Sequence, residues 1–158
     1  MKITTEEPNE HWGFLSPNDK IVLDLGCNEF YSSISTAQWF LDNGAKKVIG
    51  IDLSVNQIND DRFEPISMSI NDKLGLEFLI TKYKPQIIKC DIEGSEDNFD
   101  GIDSIDMLSV LEFAVEYHDM NTKKICETKI KEWGFKNIEL YQLFNEDINR
   151  IGVFHAWR

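Results

Sequence analysis

From about residue 20 onward, short runs rich in β-branched and apolar residues alternate with stretches whose apolar residues recur at helical spacing. That alternation is the signature of stacked βαβ units, and it predicts an α/β fold with a doubly wound, mostly parallel sheet. The first strand is expected at Ile21–Leu25, followed by a helix over 32–43 that carries Ile34, Ala37 and Leu41 on one face and ends at Gly44. A second strand over 47–51 comes next, then room for a short helix, an edge-type strand near 65–70 and a helix over 73–83 capped by Asp72. Strands over 86–91 and 113–117 follow, then a helix over 122–133 between a cap at Asn121 and Gly134. The runs 137–143 and 151–157 have no helix between them, only the polar NEDINR, and are expected to end the sheet as a C-terminal antiparallel hairpin.

A length of 158 residues suits one core, so residues 20–158 are expected as a single domain behind an N-terminal extension over 1–19. No apolar run approaches the length of about 20 residues that spans a bilayer. The acidic, polar start also lacks the charged and apolar regions of a secretory signal, so a cytoplasmic protein without membrane partners is expected. Cys27, Cys90 and Cys126 are widely spaced in apolar surroundings and read as buried thiols. A formal net charge of −12 repels a phosphate backbone, which argues against nucleic acid as a partner.

In a doubly wound sheet the ligand lies at the carboxyl ends of the strands, beside the point where strand order reverses. Polar residues gather at those ends in this chain: Asp24 to Asn28, Asp52, Asp91 to Glu96, and Glu116 to His118. Gly26 suits the positive φ of a sharp strand-to-helix turn, and the N-terminus of the next helix offers free N–H groups. Asp52 ends the next strand, where a carboxylate can accept the hydroxyls of a ribose. In IIKCDIEGSE, strand alternation puts Lys89, Asp91 and Glu93 on one side and Ile88, Cys90 and Ile92 on the other. Charges at the end of a buried strand are either paired or working at a site. Ala114, Glu116 and His118 likewise share one side of their strand, and a histidine or a tuned carboxylate there can serve as a general base.

Together these stretches resemble an S-adenosylmethionine-dependent methyltransferase of the class I, Rossmann-like fold, and more closely its FkbM family. The resemblance rests on DLGCN at the first turn, on IIKCDIEGSE, and on AVEYHD followed by a helix and the pair Gly134 and Phe135. It implies S-adenosylmethionine as cofactor, with Asp24, Gly26 and Asn28 lining its methionine part, Asp52 its ribose, and Asn71 or Asp72 its adenine end. It also implies that Asp91, Glu93, Glu116 and His118 face the methyl group and a small-molecule acceptor, which is methylated on oxygen.

Transfer from a sulfonium to an oxygen needs alignment and removal of the acceptor proton. His118 or Asp91 is expected to take that proton, with Glu93 and Glu116 positioning the acceptor. No metal is expected, although Asp91, Glu93 and His118 would also suit a hard cation. The chain departs from the family at Phe30, where a glycine is usual, and at Glu29, where an apolar residue is usual. Those departures keep open the alternative of a methyltransferase-like domain that binds without catalysis. An NAD-dependent enzyme fits less well, because GCNEFY lacks the second and third glycines of GxGxxG. An uncapped site and an apolar terminal hairpin also suit a homodimer.

Overall fold

A computed structural model describes residues 1–4, 12–28, 30–31, 34–142 and 151–158. Its strands are β1 (Lys2–Thr4), β2 (Ile21–Leu25), β3 (Phe30–Tyr31), β4 (Ile34–Ser35), β5 (Lys47–Asp52), β6 (Phe63–Ser67), β7 (Ile87–Cys90), β8 (Glu112–Tyr117), β9 (Asn137–Gln142) and β10 (Gly152–Trp157). Helices α1 (Thr36–Asp42), α2 (Lys73–Tyr83) and α3 (Met120–Glu132) join them, with short 3-10 turns at Glu96–Gly101 and Asp106–Ser109. The main sheet runs β1-β9-β10-β8-β7-β2-β5-β6, and β10 is antiparallel to both of its neighbours while the remaining pairs are parallel. The expected doubly wound sheet with a terminal antiparallel pair is thus present. The last strand, however, inserts between β8 and β9 instead of extending the edge.

The central strands β2, β7 and β8 are buried almost end to end, which explains their near-continuous apolar runs. Successive residues face opposite sides and feed two apolar clusters. One joins Leu23, Leu25, Ile88, Phe113 and Val115 to Leu76, Leu79 and Ile130 of α2 and α3. The other joins Val22, Val48, Ile87 and Ala114 to Phe40 and Leu41 of α1 and to Trp12 and Leu15. The segment before residue 20 therefore supplies core on that second face, and its β1 adds a parallel edge strand beside β9. Pro65 is tolerated in β6 because that strand is the opposite edge of the sheet.

Helix α2 has the bounds its periodicity predicts, with Asp72 Oδ1 accepting from the Gly75 N–H at 2.9 Å. Other boundaries moved. The helix expected over 32–43 begins only at Thr36, capped by Ser35, because residues 30–31 and 34–35 pair as a small antiparallel ribbon first. The cap of α3 is Asp119, whose Oδ1 accepts from the N–H groups of Asn121 and Thr122 at 2.7 and 2.9 Å, so Asn121 is itself inside the helix. No helix forms between Asp52 and β6. The NEDINR connection and Glu29 lie outside the described residues. No helix among the described residues is long and apolar enough to cross a membrane.

Candidate functional site

Strand order reverses between β2 and β7, since the chain runs from β2 outward to β5 and β6 and then returns to β7 and β8 on the other side. The carboxyl ends of β2 and β7 therefore diverge into turns at a shared crevice. At the first of these turns Gly26 has φ of +80°, and its N–H and that of Cys27 both donate to the Ile51 carbonyl at 2.9 and 3.1 Å. A Cβ on Gly26 would stand 1.8 Å from the Asp91 carbonyl oxygen, so the two strand ends meet only because a glycine is there. Above them opens a cleft of about 370 Å³ lined by Gly26, Asp52, Met68, Ile70, Asp91 and Glu93 among others. That volume falls within the range of small-molecule sites.

Asp52 reaches the cleft with both oxygens already oriented: Oδ2 accepts from the Asn28 N–H at 3.1 Å and Oδ1 from the Leu53 N–H at 2.7 Å. Each oxygen keeps a further lone pair for a ligand hydroxyl. Asn28 instead latches two loops together, its Oδ1 accepting from the Asn56 N–H at 3.0 Å and its Nδ2 donating to the Ser54 carbonyl. Asn71 accepts from Ser69 Oγ at 2.6 Å and Asp72 caps α2, while Ser69 and Ile70 just before them line the cleft. Asp24 is fully buried below the turn, with Oδ2 accepting from Thr36 Oγ1 at 2.7 Å and Oδ1 lying 3.4 Å from Lys89 Nζ.

Beside the cleft stands an acid–base cluster. His118 Nδ1 is 2.9 Å from Glu96 Oε1, and its Nε2 lies 3.7 Å from Asp91 Oδ1 and 4.0 Å from Glu116 Oε1. Asp91 thus belongs to both the cleft and the cluster. Glu96 is completely buried, and burial opposes its ionisation; the hydrogen bonds from His118 and from the Gly94 N–H outweigh that and hold its carboxyl below the usual range. The Glu96 carboxylate in turn raises His118, against the desolvation of the ring, to about 9. At neutral pH the ring is therefore an imidazolium whose protons face three carboxylates. Asp91, Glu96 and His118 also have atoms within 4.8 Å of one another, as a cation site would need.

Strand patterning assigns Glu96 no role. Strand alternation carried Lys89, Asp91 and Glu93 to one side, but β7 ends at Cys90 and the chain turns sharply through Glu93 and Gly94, with φ of 41° and 91°. Glu93 is consequently exposed on the cleft wall, and Glu96 swings back under His118. The final acidic residue of IIKCDIEGSE was the available signal.

No protein-family model and no curated protein matches the chain. Solved structures do. The fibrillarin pre-rRNA processing protein of Methanococcus jannaschii superposes with a TM-score of 0.57 at 16% identity, over 90% of this chain and 68% of that one. A putative ribosomal RNA methyltransferase from Plasmodium falciparum gives 0.54 at 17% identity, over 92% and 90%. The MycE methyltransferase of the mycinamycin biosynthetic pathway, solved with Mg, SAH and mycinamycin VI, gives 0.56 at 12% identity, over 94% of this chain and 48% of its own. The chain has the Rossmann-like methyltransferase fold. At such identities the likeness is one of architecture, and in this methyltransferase fold the cleft at Gly26, Asp52 and Asp91 occupies the switch point of the sheet.

Proposed function

We propose that the protein is a cytoplasmic S-adenosylmethionine-dependent methyltransferase of the FkbM type that methylates a hydroxyl of a small molecule. The observation that carries this reading is the meeting of Gly26, Asp52 and Asp91 in one cleft, with the Glu96–His118 pair against Asp91. The donor set suits the cofactor: Asp52 has spare lone pairs for ribose hydroxyls, Met68 and Ile70 offer apolar surface to a base, and Asp91 and Glu93 favour a cation. When bound, S-adenosylmethionine supplies an electrophilic methyl group on a sulfonium.

The residues of this chain then do the remaining work. Gly26 keeps the turn thin enough for close approach, and the carboxylates of Asp91 and Glu116 orient an acceptor hydroxyl. Neutral His118 holds its remaining proton on Nδ1 toward Glu96 and takes the acceptor proton at Nε2, which faces Asp91 and Glu116. A net charge of −12 and a carboxylate-rich rim favour an uncharged or cationic acceptor over a phosphate polymer. The three buried free thiols suit a reducing compartment.

Thermal unfolding with S-adenosylhomocysteine tests the cofactor assignment. At 100 times the dissociation constant a ligand stabilises by about 2.7 kcal/mol, which raises the midpoint of a domain this size by about 5–10 °C. Asp52→Ala should abolish most of that shift. An equal shift with NAD, or none with either compound, overturns the reading. Methyl incorporation into hydroxylated small molecules but not into RNA then tests the acceptor class; binding without incorporation into any acceptor would make the chain a non-catalytic domain.

A further inference from the structure

We propose that Lys89 is a positioning residue of the Gly26 turn, acting on the cleft from beneath through the turn's carbonyls and Asp24 and never touching a ligand. Lysine is among the side chains least often fully buried, yet Lys89 has no exposure at all. It sits on β7 directly opposite Asp24 of β2 in the parallel register. Its Nζ lies 2.9 Å from the Gly26 carbonyl oxygen, 3.4 Å from that of Leu25 and 3.4 Å from Asp24 Oδ1, and 5.2 Å from the centre of the Trp12 ring.

A buried ion pair is poor value as a stabiliser, because desolvation of the two charges offsets most of their attraction, and apolar residues of similar size usually serve a core as well. What an apolar residue at position 89 would lack is a donor for the Gly26 carbonyl. That carbonyl belongs to the peptide that follows the positive-φ glycine, where the chain is least constrained by its own sterics. The ammonium points this oxygen into the protein interior and away from the cleft.

Asp24 extends the hold, since its other oxygen accepts from Thr36 Oγ1, on the first residue of α1. Thr36 Oγ1 also lies 3.4 Å from the Cys27 carbonyl. The end of β2, the turn and the start of α1 are thereby tied to one buried charge pair. The shape that the turn presents to the cofactor follows from a residue on the neighbouring strand. In its bearing on cofactor binding this rests on the methyltransferase reading above.

The test compares Lys89→Met with the double variant Asp24→Asn/Lys89→Met. The single variant strands a buried carboxylate and risks unfolding; the double variant removes both charges and keeps the measurement possible. Two quantities are read: residue-resolved amide exchange without ligand, and calorimetric affinity for S-adenosylhomocysteine. In the double variant the Gly26, Cys27 and Asn28 amides should exchange about tenfold or more faster, with those of Phe113 and Val115 in β8 unchanged, and affinity should fall by about tenfold, as expected for loss of a charged hydrogen bond. Wild-type protection at the turn, or a loosened turn with wild-type affinity, overturns the proposal. If the wild-type protein fails to bind S-adenosylhomocysteine while the variant's turn still loosens, the cofactor reading has failed and the role of Lys89 in holding the turn stands.

Discussion

Nδ1 of His118 lies 2.9 Å from Oε1 of Glu96, a carboxylate with no solvent exposure that approaches the ring from a 3-10 turn following β7. The contact joins two segments that the sheet brings together across β7 and β8, and it governs the charge of the histidine beside the cleft. Because Glu96 raises the His118 pKa to about 9, the base form of the ring is a minor species at neutral pH.

Glu96→Gln should return the His118 pKa from about 9 toward the ordinary 6.5, read by NMR titration of the ring. In the wild-type protein, methyl transfer should rise with pH up to about 9, and in the variant this limb should move toward neutral pH. An unmoved limb in a variant whose ring pKa has fallen would exclude His118 as the base.

The same pair makes stability pH-dependent, and its sign follows from linkage. His118 binds its proton more tightly folded than unfolded, so its contribution is complete below about 6.5 and is lost as pH rises toward about 9. Glu96 is held below its ordinary value, so its contribution is present above about 4.5 and is lost as pH falls through its folded value. Urea unfolding of the wild-type protein and of His118→Asn should therefore differ most near pH 6 and converge by about pH 9.5. A difference that grows with pH would contradict the ion pair.

Gly26→Ala places a methyl 1.8 Å from the Asp91 carbonyl oxygen at a φ of +80°. A backbone atom cannot yield as a flexible side chain does, and left-handed strain alone costs about 1–3 kcal/mol. The expected loss is at least about 3 kcal/mol in denaturant unfolding, together with loss of S-adenosylhomocysteine binding. A stable variant with unchanged affinity would mean that the β2 and β7 ends are not in contact.

Asp119→Ala removes the side chain that accepts from the Asn121 and Thr122 amides at the start of α3, which should cost about 1 kcal/mol. Asn121→Ala should change stability by less than about 0.5 kcal/mol, because that residue is exposed inside the first turn. Urea midpoints of the two variants check the cap assignment directly.

Several elements are legible in the sequence alone. The bounds of α2, the strand at Ile21–Leu25 and the polar residues at the strand ends follow from periodicity, capping and the switch-point rule, which act over a few neighbouring residues. Those rules brought Gly26, Asp52 and Asp91 to one crevice. The helix expected over 32–43 starts only at Thr36. Residues 30–31 pair with 34–35 ahead of it, a pairing that helical periodicity does not register.

What only the tertiary structure decided is the partner of each buried charge. Asp24 opposes Lys89 of the neighbouring strand, and Glu96 pairs with His118. The insertion of β10 between β8 and β9 and the edge strand β1 belong to the same class. Local preference determines whether a residue is in a strand or a helix and which way it alternates. Which strand lies alongside, and in what register, is chosen by core packing between segments far apart in the chain, and a charged side chain acquires its function only once that choice has given it a partner.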